Sequence, residues 1–168
     1  FWTNPAYNES NQPVVGIARF EAEAYCRWLT QAARDGRTYR LPTVAEWQAG
    51  ARGEEGRLYP WGDEPGPLRC NYWHAGYLGM TSPAGVYPES ATPDGIEDMA
   101  GNVHELCLDA ETGKIYACGG SWMSDEISDC RATKMRPVPD GGERSGEVGF
   151  RIVAAAKDPS EIRTTREG

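Results

Sequence analysis

Histidine is nearly absent from this sequence: there are two in 168 residues, His74 and His104. No histidine pair or triad is available to hold a metal, and no Ser/His/Asp order suggests a hydrolase. Positive charge is the minority sign, 17 Lys and Arg against 25 Asp and Glu, for a net charge of −8. That balance argues against a nucleic-acid backbone as partner. No apolar run approaches the ~20 residues that span a bilayer, so insertion as a membrane helix is not expected, and no leader pattern opens the chain. The five cysteines (Cys26, Cys70, Cys107, Cys118 and Cys130) show no CxxC spacing and are odd in number. Neither a disulfide framework nor a zinc site is indicated. Reduced, buried thiols are expected instead, which favours a cytoplasmic protein.

Phenylalanine is also scarce, three against six Trp and eight Tyr, while Gly reaches 20 and Pro 12. Trp and Tyr pack while hydrogen-bonding irregular backbone, and Gly and Pro make turns, so a loop-rich single domain is expected. Pro13 to Ile17 reads as a short strand. From Arg19, Phe20, Ala24, Trp28 and Ala32 recur every four residues beside Leu29, which predicts a helix stopped at Asp35-Gly36. Thr43 and Glu46 form a capping box for a second helix from about Val44 to Arg52, ending at Gly53. Tyr59 to Ile96 is turn-rich, Ile115 to Cys118 a strand, and Gly149 to Val153 a closing strand. Residues 157–168 form a charged tail.

Two stretches carry the chemistry. In Asp98-Met99-Ala100-Gly101-Asn102-Val103-His104-Glu105, two carboxylates flank a glycine bend. They either converge on a hard cation such as calcium or satisfy backbone N–H groups in a tight turn. Farther on, Gly119-Gly120-Ser121-Trp122 begins a long irregular loop that reaches Gly149-Phe150-Arg151. Paired glycines permit a close approach, and Trp122 brings one N–H that needs a partner if buried. Long loops on a rigid scaffold are common binding sites.

Six motifs in order resemble the formylglycine-generating enzyme (sulfatase-modifying factor) family. They are Ala24-Tyr25-Cys26-Arg27-Trp28-Leu29, Tyr39-Arg40-Leu41-Pro42-Thr43 with Ala45-Glu46-Trp47, Tyr59-Pro60-Trp61-Gly62-Asp63, Asp98 to Val103, Gly119 to Trp122, and Gly149-Phe150-Arg151. The resemblance implies an α+β, C-type-lectin-like fold over residues 1–156, with short antiparallel strands and two helices. It also implies that the family's first strand and helix are missing, so this is a fragment or another chain supplies them. Family oxidases hold copper between two thiolates that correspond to Ser124 and Asp129. Oxygen ligands lack the soft character that Cu(I) prefers, so copper is not expected. The resemblance further implies calcium at Asp98 and Glu105 with the carbonyls of Gly101 and Val103. A non-catalytic recognition domain follows, in which Trp122, Ser124, Asp125, Asp129 and Arg136 line a groove for a protein or peptide partner. The alternative is a copper-dependent oxidase acting on peptide cysteine. Within the loop, Ser124, Asp125, Ser128, Asp129, Asp140, Gly141, Gly142, Ser145 and Gly146 are each one adenine change from an Asn codon. That is the pattern of retroelement-diversified binding proteins, but such residues are also ordinary in loops.

Overall fold

Gly and Pro keep the regular elements short. The computed structural model describes residues 3–75, 78–139 and 144–156. Its elements are helix α1 (Arg19–Ala32), strand β1 (Arg37–Arg40), helix α2 (Val44–Arg52), and strands β2 (His104–Leu108), β3 (Ile115–Cys118), β4 (Met135–Pro137), β5 (Val148–Gly149) and β6 (Val153–Ala156). Three 3-10 turns, Pro5–Tyr7, Pro88–Ser90 and Ile127–Cys130, punctuate the loops. The fold is therefore α+β with two helices, as expected. β1 and β6 form a two-stranded antiparallel sheet, and a four-stranded sheet runs β4-β3-β2-β5. Within the latter, β2–β3 and β3–β4 are antiparallel as expected, and β2 and β5 add one parallel pair. Parallel neighbours need a long connection, and the chain between β2 and β5 supplies one.

Alternation along β2 divides the core. Leu106 joins Ile17, Ala22, Cys26, Leu41, Ile115 and Val148 in one cluster, while Cys107 joins Trp47, Ala51, Met99, Cys118 and Ala132 in another. The helices thus pack into different clusters, α1 through Ala22 and Cys26 and α2 through Trp47 and Ala51.

α2 follows its sequence signal. Thr43 Oγ1 accepts from Glu46 N at 3.1 Å, Glu46 Oε2 accepts from Thr43 N at 2.8 Å, and Gly53 closes the helix at φ +61°. α1 forms where expected but buries a different row. Ala22 and Cys26 face inward, and Phe20 and Trp28 are 57% and 58% exposed. Both rows have helical period; the small side chains win because they let the helix approach closely. Its end also differs: α1 stops at Ala32, and left-handed Arg34 and Gly36 make the reversal beyond it. Pro13 to Ile17 is not a strand. Gly16 turns there at φ +71° and donates to Ser145 O, although Val15 and Ile17 are buried. Gly149 to Val153 is likewise broken, because β5 serves one sheet and β6 the other. The tail and Asp140, Gly141 and Gly142 lie outside the described residues.

Candidate functional site

Three left-handed residues bring two loops together. Asp98, Gly101 and Asn102 have φ of +56°, +67° and +62°. Gly101 N donates to Gly119 O at 2.7 Å, and Trp122 N donates to Asn102 O at 2.9 Å. Asn102 is buried and joins a third loop: its Oδ1 accepts from Ser82 N at 2.8 Å and Asn71 Nδ2 at 3.3 Å, while its Nδ2 donates to Ser82 O. The Gly-Gly pair is needed for space as well as angle. A Cβ on Gly119 would stand 2.9 Å from the Trp47 ring, and one on Gly120 2.8 Å from Cys130 Sγ. Trp122 is 9% exposed and donates Nε1 to Gly146 O at 3.0 Å, which ties the start of the loop to its end.

Beyond that anchor the loop borders a cleft of about 380 Å³. Ser124, Asp125, Asp129 and Arg136 all line it, joined by His104, Lys134 and Glu147. Trp122 does not line it; its ring is spent on the loop closure behind. Ser124 Oγ accepts from Ser121 N at 2.9 Å, so the hydroxyl is fixed by its own turn. Asp125 stands 3.3 Å from His74 Nε2 and Asp129 3.5 Å from Lys134 Nζ. Such exposed pairs are weak and easily exchanged for a partner's charges. Glu147 accepts from Ser121 Oγ at 2.9 Å. A larger cleft of about 700 Å³, bordered by Val14, Ile17, Tyr25, Phe150 and Ile152, holds none of the candidate ligand-binding residues.

At the glycine bend, Glu105 is already paired. It is 6% exposed; its Oε2 accepts from Trp47 Nε1 at 2.6 Å and from Arg151 Nε, and its Oε1 accepts from Arg151 Nη2 at 2.8 Å. Arg151 Nη2 also donates to Glu97 O at 3.1 Å and Asp98 O at 3.4 Å. Asp98 is held more loosely, accepting from Gly85 N at 2.7 Å. Burial pushes its carboxyl above the usual range, the Gly85 N–H opposes this, and nearby Glu97 and Glu105 add to the rise. Asp98, Val103 and Glu105 border one cleft with Arg151. Among the described residues, no three His, Cys, Asp or Glu side chains are grouped to hold a metal. Glu105 is neutralised by Arg151, and of the two bend carboxylates Asp98 is the one outside that ion pair.

Residues 3–156 match the model of the sulfatase-modifying factor enzyme 1-like domain. The chain belongs to this family. It is 33% identical over 187 residues to a protein named inactive C-alpha-formylglycine-generating enzyme 2 from Bos taurus, covering 96% of this chain and 59% of that one. It is also 33% identical over 174 residues to a formylglycine-generating enzyme of Streptomyces coelicolor, covering 84% and 52%. The chain thus spans little more than half the length of these relatives. Treponema denticola variable protein 1 shares the fold, with a TM-score of 0.75 at 19% identity over 92% of this chain and 74% of that one.

An inactive and a generating relative at equal identity leave the decision to individual positions of the family loop. Ser124 and Asp129 border the cleft, and among the described residues no cysteine lines it. Cys130 is fully buried, in one cluster with Cys70, Tyr72 and Ala100. Cys130, which follows Asp129 in the chain, therefore presents no thiol to the cleft. Sequence reasoning did not place His104, Lys134 or Glu147 in the groove. Lys134 stands just before β4 (Met135–Pro137), and nothing in the spacing of the loop joined it to Arg136. Glu147 carried no local signal.

Proposed function

We propose that this domain is a non-catalytic recognition module of the sulfatase-modifying factor family, and that its cleft binds a protein or peptide segment. The observation that carries the reading is the cleft's lining. It offers Ser124, Asp125, Asp129, Lys134 and Arg136, with both signs of charge and a hydroxyl but no thiol. Its volume suits one or two side chains rather than a whole folded surface. The mixed charges suit a polar peptide that replaces the weak pairs to His74 and Lys134. Calcium, held by Asp98 with the Gly101 and Val103 carbonyls, serves in this reading to hold the bend beneath the loop.

Two measurements test it. Copper-loaded protein incubated with a peptide bearing a sulfatase-type cysteine motif is expected to yield no aldehyde above the metal-only control. Protein-dependent aldehyde would overturn the non-catalytic reading. Peptides selected from a displayed library on the natural chain are expected to lose binding to the triple variant Asp125→Ala, Asp129→Ala, Arg136→Ala. The triple variant is used once its urea midpoint shows it folded, and peptides that then bind both proteins equally would place recognition elsewhere.

A further inference from the structure

All five cysteines are buried, and the fold sorts four of them into two pairs that nothing in their spacing announces. Cys107 and Cys118 share one buried cluster and Cys70 and Cys130 another, and in each the neighbouring thiol together with burial pushes one member up, Cys107 in the first and Cys70 in the second. Cys26 packs apart from both pairs, in the cluster beneath α1.

The backbone treats the two pairs differently. Cys107 and Cys118 lie on β2 and β3, whose register sets Tyr116 opposite Cys107 and Glu105 opposite Cys118. They are diagonal neighbours, and a diagonal across an antiparallel pair typically spans about 7–8 Å. A disulfide needs Cα atoms within roughly 4.4–6.8 Å, and the ladder hydrogen bonds resist the shift that closing the gap requires. No ladder constrains Cys70 or Cys130. Cys70 precedes Asn71 in a loop, and Cys130 ends the 3-10 turn Ile127–Cys130. The two share a small buried cluster with Tyr72 and Ala100. Gly120 leaves room for Cys130, since any side chain there would meet its sulfur.

We infer that Cys70 and Cys130 are a disulfide-forming pair that locks the recognition loop to the Asn71 segment when the protein meets a disulfide oxidant. The two thiols give up two protons and two electrons and become one S–S bond. A small disulfide such as oxidised glutathione accepts them and leaves as two thiols. The neighbouring Cys130 thiol and burial both push the Cys70 thiol up, so little thiolate forms in the closed structure. Exchange therefore proceeds as the chain folds or when the loop opens. The bond would join the turn that presents Asp129 to the cleft with the segment whose Asn71 O accepts from Asn102 N at 2.7 Å. It would close a loop of about 60 residues, and the entropy of that closure predicts a melting temperature roughly 10 °C higher.

The test is to refold the full chain in oxidised glutathione and, separately, in reductant. Free thiols are then alkylated in denaturant, and the unreduced digest is read by mass spectrometry. The expected result is a peptide linking Cys70 to Cys130, with Cys26, Cys107 and Cys118 alkylated, and a melting temperature about 10 °C above that of the reduced protein. Cys130→Ala is expected to remove both the link and the redox dependence. Five alkylated cysteines after oxidation, a Cys107–Cys118 link, or a link between two chains would each overturn the inference. So would a redox-dependent melting temperature that survives Cys130→Ala. If that variant fails to fold, the linkage map of the natural chain still decides.

Discussion

Replacing Arg151 with Met is the sharpest test of how the bend beneath the loop is held. The side chains of Arg151 and Glu105 are 27% and 8% exposed, and two N–H groups of one meet both oxygens of the other. Met keeps most of the aliphatic volume and removes the charge, leaving Glu105 buried with Trp47 as its remaining donor. Removing one partner of a buried pair costs about 3–5 kcal/mol. The lost bonds to Glu97 O and Asp98 O add roughly 1 kcal/mol. For a chain of this size each kcal/mol moves the melting temperature by about 2–4 °C, so a fall of at least about 10 °C is expected. Urea unfolding with calcium present and with chelator separates the ion pair from any ion. The double variant Arg151→Met, Glu105→Gln should be more stable than the sum of the single losses implies, by 2 kcal/mol or more, because no charge is then stranded. A single-variant loss below about 1 kcal/mol, or strict additivity, would refute the reasoning.

Glu46 is held down to about 2 from an ordinary 4.5, chiefly by its hydrogen bonds from Arg40, with burial opposing and the Thr43 bonds helping. A depressed carboxyl contributes stability that is present above its unfolded value and lost as pH falls through the folded one. Allowing for exposure near 40%, about 1 kcal/mol should disappear between pH 4.5 and 2. That loss should be absent in Glu46→Gln; an unchanged acid profile would count against it. Asp98 has the opposite sign: its raised carboxyl weakens the ion-free fold as pH rises through that value. Calcium at 100 times its dissociation constant should add about 2.7 kcal/mol, roughly 5–10 °C, and Asp98→Asn should abolish the gain. No calcium-dependent shift in the natural chain would leave Asp98 a simple turn residue. Gly120→Ala should cost about 2–4 kcal/mol, from a φ of +77° and the collision with Cys130. A loss under 1 kcal/mol in urea would show that the turn yields easily.

What the sequence made legible was local. Thr43 and Glu46 announce α2 because a capping box is decided within four residues. Gly119-Gly120 announces a close approach because only glycine tolerates both the angle and the neighbour. What stayed hidden depends on pairing across the chain. Period alone gives α1 two apolar rows, and only the sheet selects Ala22 and Cys26 over Phe20 and Trp28. The partner of Glu105 is Arg151, 46 residues on, and no spacing relates them. The same holds for the thiols: five cysteines without a motif look unrelated until β2, β3 and the loops bring four of them two by two into shared buried clusters.

The candidate cleft divides into anchors and facing residues, and the division explains how one family scaffold can carry different chemistry. Asn102, Gly119, Gly120, Trp122, Glu105 and Arg151 hold the loop by backbone contacts, buried hydrogen bonds and one ion pair. Changing any of them strands a buried group or creates a collision. Asp125 projects from the same loop with its side chain 78% exposed and His74 Nε2 3.3 Å away, while Asp129, 42% exposed, pairs with Lys134 and also accepts from Glu126 N at 3.4 Å. The identity of Asp125 is nearly free of folding cost, since surface substitutions away from buried or capping features usually stay within about 0.5 kcal/mol. The loop's position is therefore set by stability, while its outward side chains answer to whatever the cleft must hold. Ser124 is the intermediate case, because its hydroxyl also closes the Ser121 turn. Exchange at that position touches both the anchor and the surface, so the residue facing the cleft there is the least free to vary.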